Sequence, residues 1–203
     1  MKQTSWEIIL KNISLAKKKV LTIAIDGLAG SGKSTLAKEL QNTYQEIQIV
    51  EMDSFFLPLA RRTPFYPQKS AYLEYDYGRL LVQVLIPFQK GLATSYLKYN
   101  WVTDKIGREE FHISPDKTLV LDGITTFHPK IQDHVRFDYR IFVTSAAKTR
   151  LARAKKRDNK IAKEFGGYNE KTKDYYKNEW VIMENNYFQK YRPDKIADLI
   201  VKN

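Results

Sequence analysis

Near the start of the chain, Gly27-Leu28-Ala29-Gly30-Ser31-Gly32-Lys33-Ser34 has the residue types and spacing of a phosphate-wrapping loop, G-x-x-x-x-G-K-[ST]. Glycines at 27, 30 and 32 allow backbone angles and close approaches that a Cβ would block. The N–H groups of such a loop, with the positive end of the helix that follows, converge on phosphate oxygens. Lys33 then supplies a point charge to the outer phosphates, and the Ser34 hydroxyl is placed to ligate Mg²⁺. Nucleotide contacts are expected from Gly27 through Thr35. A glycine-rich turn without a ligand would not need Lys-Ser at this spacing, so the pattern reads as an NTP-binding enzyme.

Three acids fall at the ends of predicted strands: Asp26, Asp53 and Asp122. In an open parallel sheet, ligands gather at the carboxyl ends of the strands. Asp122 occupies the place of an acid that holds Mg²⁺, directly or through water; the competing reading is a turn or cap residue. Asp53 is the candidate general base, because a kinase acting on a hydroxyl needs a carboxylate near both acceptor oxygen and γ-phosphate. The end of a strand lying beside the phosphate-loop strand would suit it, and an N-cap before Ser54 is the alternative. Asp26 abuts the loop and is expected only to brace it.

Arg150, Arg153 and Arg157 recur at i, i+3 and i+7 and so share a helix face. Their donor forks suit the spreading charge of a phosphate in transfer. With Lys148, Lys155 and Lys156 beside them, a solvated basic face is the other reading. The Gly166-Gly167 pair downstream favours a closing lid.

These residues need elements to position them. Val20–Ile25 is an apolar strand leading into the loop, and Thr35–Leu40 opens a helix. Ile47–Glu51 reads as a second strand, followed by a long polar and aromatic loop over 54–76 with Pro58, Pro64 and Pro67. A helix is expected from about 76 to 90, kinked or ended by Pro87. Thr94–Tyr99 and Glu109–Ile113 form a β-hairpin around the turn Asp104–Gly107. Further strands are Thr118–Gly123, Tyr139–Val143 and Leu199–Val201, with helices at about 146–158 and 172–189. Strands alternating with helices imply an α/β fold of the P-loop NTPase type, a parallel sheet with helices on both faces. We expect one domain over 1–203, carrying a β-hairpin insertion at about 92–114 and a helical lid at about 150–170. Trp6, Ile9, Leu10 and Ile13 make residues 1–18 an amphipathic helix rather than a signal peptide.

Composition narrows the function classes. No run of eighteen apolar residues is present, so no membrane span is expected. The absence of cysteine excludes thiolate chemistry and suits a cytoplasmic protein. A net charge of +11 fits nucleic acid or small polyanions such as nucleotides. The basic residues are spread along the chain without a zinc-finger, RRM or KH signature, so nucleic acid is not expected as the main partner.

Together these residues resemble the uridine kinase family of P-loop nucleoside kinases, close to phosphoribulokinase and pantothenate kinase. The resemblance covers nearly the whole length after the first helix. It is carried by Gly27–Ser34, Asp53-Ser54-Phe55-Phe56, Tyr75-Asp76-Tyr77 and Tyr96-Leu97-Lys98-Tyr99. Leu121-Asp122-Gly123-Ile124, the stretch from Arg150 to Asp158, Arg192-Pro193 and Ala197-Asp198-Leu199-Ile200 extend it. It implies ATP- or GTP-dependent, Mg²⁺-assisted phosphorylation of a nucleoside 5′-hydroxyl. By the same matching Asp53 is the catalytic base beside Lys33, Asp76 binds the ribose hydroxyls and Tyr99 contacts the base. Phe56 forms a wall where relatives often carry Tyr, and Arg153 and Arg157 belong to the lid. Relatives often form oligomers, which makes a homo-oligomer an expectation.

Three departures stand out. The family usually carries Glu in place of Asp122, and both are hard oxygen ligands. The segment Asn100-Trp101-Val102-Thr103-Asp104 lacks the family's usual histidine, which leaves Asp104 as the candidate at that side of the base. The stretch 58–72 is unlike the usual sequence. A kinase for another small hydroxyl substrate is the nearest alternative. A P-loop switch or ATPase would position water instead, and Asp53 with the hairpin argues for an acceptor pocket.

Overall fold

The computed structural model describes residues 3–4, 11, 20–62, 74–165 and 181–203. In chain order the strands are β1 (Gln3–Thr4), β2 (Thr22–Asp26), β3 (Ile47–Glu51), β4 (Thr94–Asn100), β5 (Lys105–Ile113), β6 (Thr118–Asp122), β7 (Tyr139–Thr144) and β8 (Leu199–Lys202). The helices are α1 (Lys33–Thr43), α2 (Tyr77–Leu80), α3 (Ile86–Gln89), α4 (Pro129–Gln132), α5 (Ala147–Phe165), α6 (Val181–Tyr191) and α7 (Pro193–Ile196).

Six strands form one sheet in the order β1-β8-β7-β2-β6-β3, with every pairing parallel. The pleat sends alternate side chains to opposite faces, and helices bury both. Ile23 and Ile25 of β2 and Val120 of β6 pack with Leu36, Ala37 and Leu40 of α1. Leu119 and Leu121, one residue out of phase, pack with Leu80, Val84, Met183 and Tyr187. Burial on both faces explains why β2 and β6 are uninterrupted apolar runs and not alternating ones. Full burial of each such aliphatic side chain contributes about 1.5–3 kcal/mol.

β4 and β5 form the antiparallel hairpin, outside the main sheet. Its turn is Trp101–Asp104, with Asp104 at φ 53, so Lys105, Ile106 and Gly107 belong to β5 and not to the turn. Arg79 fastens this hairpin to the core. Its guanidinium donates to Leu97 O at 2.5 Å and to Ser54 O at 2.7 Å.

The structure corrects several expectations. β3 does not lie beside β2: β6 stands between them, with Asp122 level with both Ile25 and Glu51. Chain order leaves strand order open, because a crossover connection can pass over a neighbouring position. Pro87 neither ends nor visibly breaks its helix. A π-turn over Leu81–Leu85 joins α2 to α3, and the Gln83 carbonyl, four residues before Pro87, accepts from Thr94 Oγ1 at 2.6 Å. A side chain thus replaces the backbone donor that proline lacks. α5 runs on to Phe165, past the expected end at 158. Gln3–Thr4 pairs with β8 as an extra edge strand within the segment expected to be wholly helical. The rest of the expected 1–18 helix lies outside the described residues, apart from Lys11. Gly166-Gly167, the end of the expected lid and the first part of the 172–189 helix also lie outside them.

Candidate active site

The loop 27–32 joins β2 to α1 across the carboxyl edge of the sheet, where neighbouring β6 ends in Asp122. Gly27 sits at φ 148, and a Cβ there would meet Val143 O at 2.2 Å. Gly30 sits at φ 72, and a Cβ there would meet Arg150 O at 2.1 Å. Only glycine meets both demands, left-handed backbone and close approach. Lys33 is buried, and its Nζ donates to Leu28 O at 3.3 Å. Thr35 is exposed on the first turn of α1, and Asn203 Nδ2 donates to Ser31 O at 3.0 Å.

Asp26 braces the loop. Its Oδ1 accepts from Gly27 N at 2.6 Å, and its Oδ2 accepts from Phe127 N at 2.9 Å and Tyr187 OH at 2.6 Å. Burial raises its carboxyl above the ordinary value, and these three donors oppose the rise.

Asp122 is 4% exposed, and burial raises its pKa to about 6. The Lys33 charge and a hydrogen bond from Ser34 pull it down, while Asp53 and Glu51 push it up. Asp122 Oδ1 is buried and has no hydrogen-bond partner among the described residues. An unpartnered buried carboxylate oxygen beside the Ser34 hydroxyl is a hard-oxygen donor set. It suits Mg²⁺, which takes one or two protein oxygens and completes its shell with water and phosphate.

Asp53 lies on the 3₁₀ turn Met52–Phe55 that follows β3. Its side chain reaches solvent, yet the protein around it raises its carboxyl above the ordinary value, against the charges of Arg157 and then Lys33. Tyr75 OH donates to Asp53 Oδ1 at 3.3 Å. The Lys33 charge therefore reaches Asp53, Asp122, Asp26 and Glu184, which makes it the hub of an acidic cluster.

Beyond Tyr75 the site becomes aromatic. Phe56, fully buried, lies 4.3 Å from the Tyr75 ring, 6.2 Å from Tyr99 and 4.5 Å from Trp101, centroid to centroid. Arg62 lies over the Phe56, Tyr99 and Trp101 rings at 5.2, 5.7 and 5.9 Å. Its Nη2 donates to Tyr99 OH at 3.1 Å, and that hydroxyl donates to Asp104 Oδ1 at 2.7 Å. Asp76 caps α2, its Oδ1 accepting from Arg79 N at 3.0 Å, with Oδ2 4.0 Å from Arg79 Nε.

The arginine face divides. Arg150 is buried against Glu184 and Ala29 and does not face open solvent or a lid. Arg153 is exposed, and Arg157, also exposed, is the charge that acts most strongly on Asp53. A helix that packs one end against the phosphate loop cannot present all three arginines alike.

Arg62, Trp101, Glu184 and Tyr187 were not singled out from the sequence. Trp101 had a signal, as an exposed aromatic at a hairpin turn. Glu184 and Tyr187 had none, because their partners Ala29 and Asp26 lie more than 150 residues away.

The sequence profile described as the phosphoribulokinase/uridine kinase family matches residues 22–177. The chain is 27% identical to the uridine kinase of Clostridium perfringens over 192 residues, covering 91% of this chain and 88% of that one. It is 26% identical to the uridine kinase of Brevibacillus brevis over 145 residues, 67% of this chain and 65% of the other. Among solved structures, it is similar to one described as a possible uridine kinase from Bacillus stearothermophilus, with TM-score 0.70, 19% identity, and coverage of 97% and 96%. A D-glycerate 3-kinase from Cryptococcus neoformans var. grubii gives TM-score 0.63 at 12% identity, covering 97% and 92%. The same fold thus carries kinases named for different acceptors, so the acceptor must be argued from the site.

Proposed function

Because the chain belongs to the phosphoribulokinase/uridine kinase family and is therefore a P-loop kinase, we propose that it phosphorylates the 5′-hydroxyl of a pyrimidine nucleoside, uridine or cytidine, with ATP or GTP as donor. The observation that carries this reading is the continuity from Asp53 through Tyr75 to the aromatic group of Phe56, Tyr99 and Trp101. A carboxylate at one end and ring faces at the other match an acceptor with an alcohol at one end and a planar base at the other.

Asp53 takes the proton of the attacking hydroxyl; its raised pKa moves it toward the range useful for a base. Lys33 and Arg157 hold the charge that develops on the transferred group, and Arg153 joins them from the same helix. Ser34 and Asp122 would hold Mg²⁺, which supplies charge neutralisation at the outer phosphates. The amides of the loop from Gly27 to Thr35 hold the phosphates in place. Asp76 receives the ribose hydroxyls on oxygens left over from capping, and Arg62 and Asp104 offer a donor and an acceptor to the edge of the base. Among the described residues no helix is long and apolar enough to cross a membrane, and we assign the reaction to the cytoplasm.

A screen of ATP consumption with uridine, cytidine, purine nucleosides, pantothenate and sugar phosphates tests this. Turnover with uridine or cytidine, yielding the 5′-monophosphate, is expected. ATP consumption that is equal with and without acceptor would sink the kinase reading, and a preference for pantothenate or a sugar phosphate would sink the nucleoside.

A further inference from the structure

We infer that the buried pair Glu184 and Arg150 is a positioning clamp on the phosphate loop, setting the direction of two loop peptides for nucleotide binding. The inference rests on the nucleotide half of the proposed function and not on the acceptor.

The clamp closes on one residue, Ala29. Glu184 Oε1 accepts from Ala29 N at 3.2 Å, Arg150 Nη1 donates to Ala29 O at 3.1 Å, and the same Nη1 donates to Glu184 Oε2 at 3.2 Å. Glu184 is 1% exposed and Arg150 is 7% exposed. Tyr187, one helical turn after Glu184 on α6, holds Asp26 just before the loop. Two helices far in sequence from the loop thus grip it from its outer side.

Peptide planarity converts this grip into orientation. In a trans peptide the C=O and N–H point to opposite sides. The peptide between Leu28 and Ala29 has its N–H turned out to Glu184, so its carbonyl, Leu28 O, turns in. There it accepts from Lys33 Nζ at 3.3 Å and from Ser31 N at 3.2 Å. The peptide between Ala29 and Gly30 has its carbonyl turned out to Arg150, so the Gly30 N–H turns in, to the side of Lys33. The Ala29 carbonyl, which would repel phosphate, is held away and a donor takes its place, while the inward Leu28 carbonyl is occupied by Lys33 and Ser31. Without a partner on the outer side, the Ala29–Gly30 peptide loses the bond that fixes its direction, the Leu28–Ala29 peptide is left with only its two inward bonds, and the loop loses its preorganised donor.

The pair also sets α5. Arg150 is in the first turn of the helix that carries Arg157, two turns on, toward Asp53. Glu184 and Arg150 touch no reacting atom and act through Ala29.

The test is binding of MgADP to the full chain by titration calorimetry, without acceptor, for wild type, E184Q, E184A and R150K, well below each variant's Tm. The carboxamide of E184Q keeps an oxygen for Ala29 N–H, so Kd should rise in the order wild type, E184Q, E184A, by about tenfold or more for the last. R150K keeps the charge, but its ammonium ends a shorter side chain and falls short of the position from which Nη1 serves both Ala29 O and Glu184, so it should resemble E184A; it gives the reading if E184A is recovered unfolded. Variants that only lose Tm and bind MgADP like wild type would overturn the clamp. A wild type that binds MgADP but phosphorylates no nucleoside would remove the proposed acceptor and leave the clamp standing.

Discussion

The Tyr75 hydroxyl donates to Asp53 Oδ1 at 3.3 Å while its ring rests 4.3 Å from that of Phe56. One side chain therefore spans the candidate base and the aromatic group. A hydrogen bond to the ionised carboxylate favours that form, so the phenol lowers the Asp53 pKa against the rise that desolvation by the surrounding protein causes. In Tyr75→Phe the Asp53 pKa should climb further, and the acid limb of the kcat–pH profile should move to higher pH. The alkaline plateau should stay near wild type. An unmoved acid limb would break the link between the two residues.

Asp53→Asn removes the proposed base without changing the size of the side chain. Its kcat should fall by about 10²-fold or more, with nucleotide affinity retained. A loss confined to nucleotide affinity would point to a role in holding Mg²⁺.

Lys33→Ala should abolish transfer while the chain remains folded, read by circular dichroism and thermal unfolding. The acidic cluster around Lys33 adds a second expectation. With Asp26, Asp53, Asp122 and Glu184 deprived of their shared cation, the acid limb of any residual activity should move to higher pH. Near-normal turnover would sink the assignment of the loop.

Arg62→Ala empties the space over Phe56, Tyr99 and Trp101. The KM for the nucleoside should rise about tenfold, the loss of a charge-assisted hydrogen bond, with KM for ATP unchanged. A lower nucleoside KM would show that Arg62 covers the rings against the nucleoside and does not serve it.

His128 offers a stability test away from the site. It is 3% exposed, and burial, with Lys130 and Lys190 nearby, lowers its pKa to about 4 from an ordinary 6.5. The unfolded chain therefore binds a proton first as pH falls, so this contribution is complete above about pH 6.5 and is lost on the way down to about 4. The loss is at most about 3 kcal/mol. His128 Nδ1 caps α4 by accepting from Lys130 N at 3.1 Å. In His128→Asn the side-chain oxygen replaces Nδ1 as the cap acceptor and the titration disappears. Denaturant unfolding between pH 7 and 4 should show a shallower acid decline for the variant; equal slopes would refute the assignment.

The phosphate loop, the flanking β2 and α1, the alternation of strands and helices and the β4–β5 hairpin were legible because each depends on neighbours in sequence. A left-handed glycine, an apolar run, a lysine-serine pair at a helix start and a hairpin spacing are local physics. Asp53 and Asp122 could be picked out as acids at strand ends for the same reason. The position of β6 between β2 and β3 was not legible, since crossovers leave no local mark, and it is this order that sets Asp122 level with Ile25 beside the loop. Nor was the fate of Arg150, which helical spacing grouped with Arg153 and Arg157 but packing drew into the core. The continuation of the helix through Pro87 required Thr94, a residue on another element, to satisfy Gln83.

By itself, then, the sequence determined that a nucleotide's phosphates have a loop to bind and that acids stand at the strand ends to use them. Tertiary structure alone decided what surrounds that loop: Glu184 and Tyr187 from α6, Arg150 from α5, and the ring cluster that Tyr75 joins to Asp53. The reason is physical. A motif's backbone angles are set by its own residues, whereas the burial, charge and hydrogen-bond partners that orient it come from segments distant along the chain, in the case of Glu184, Tyr187 and Arg150 more than a hundred residues away.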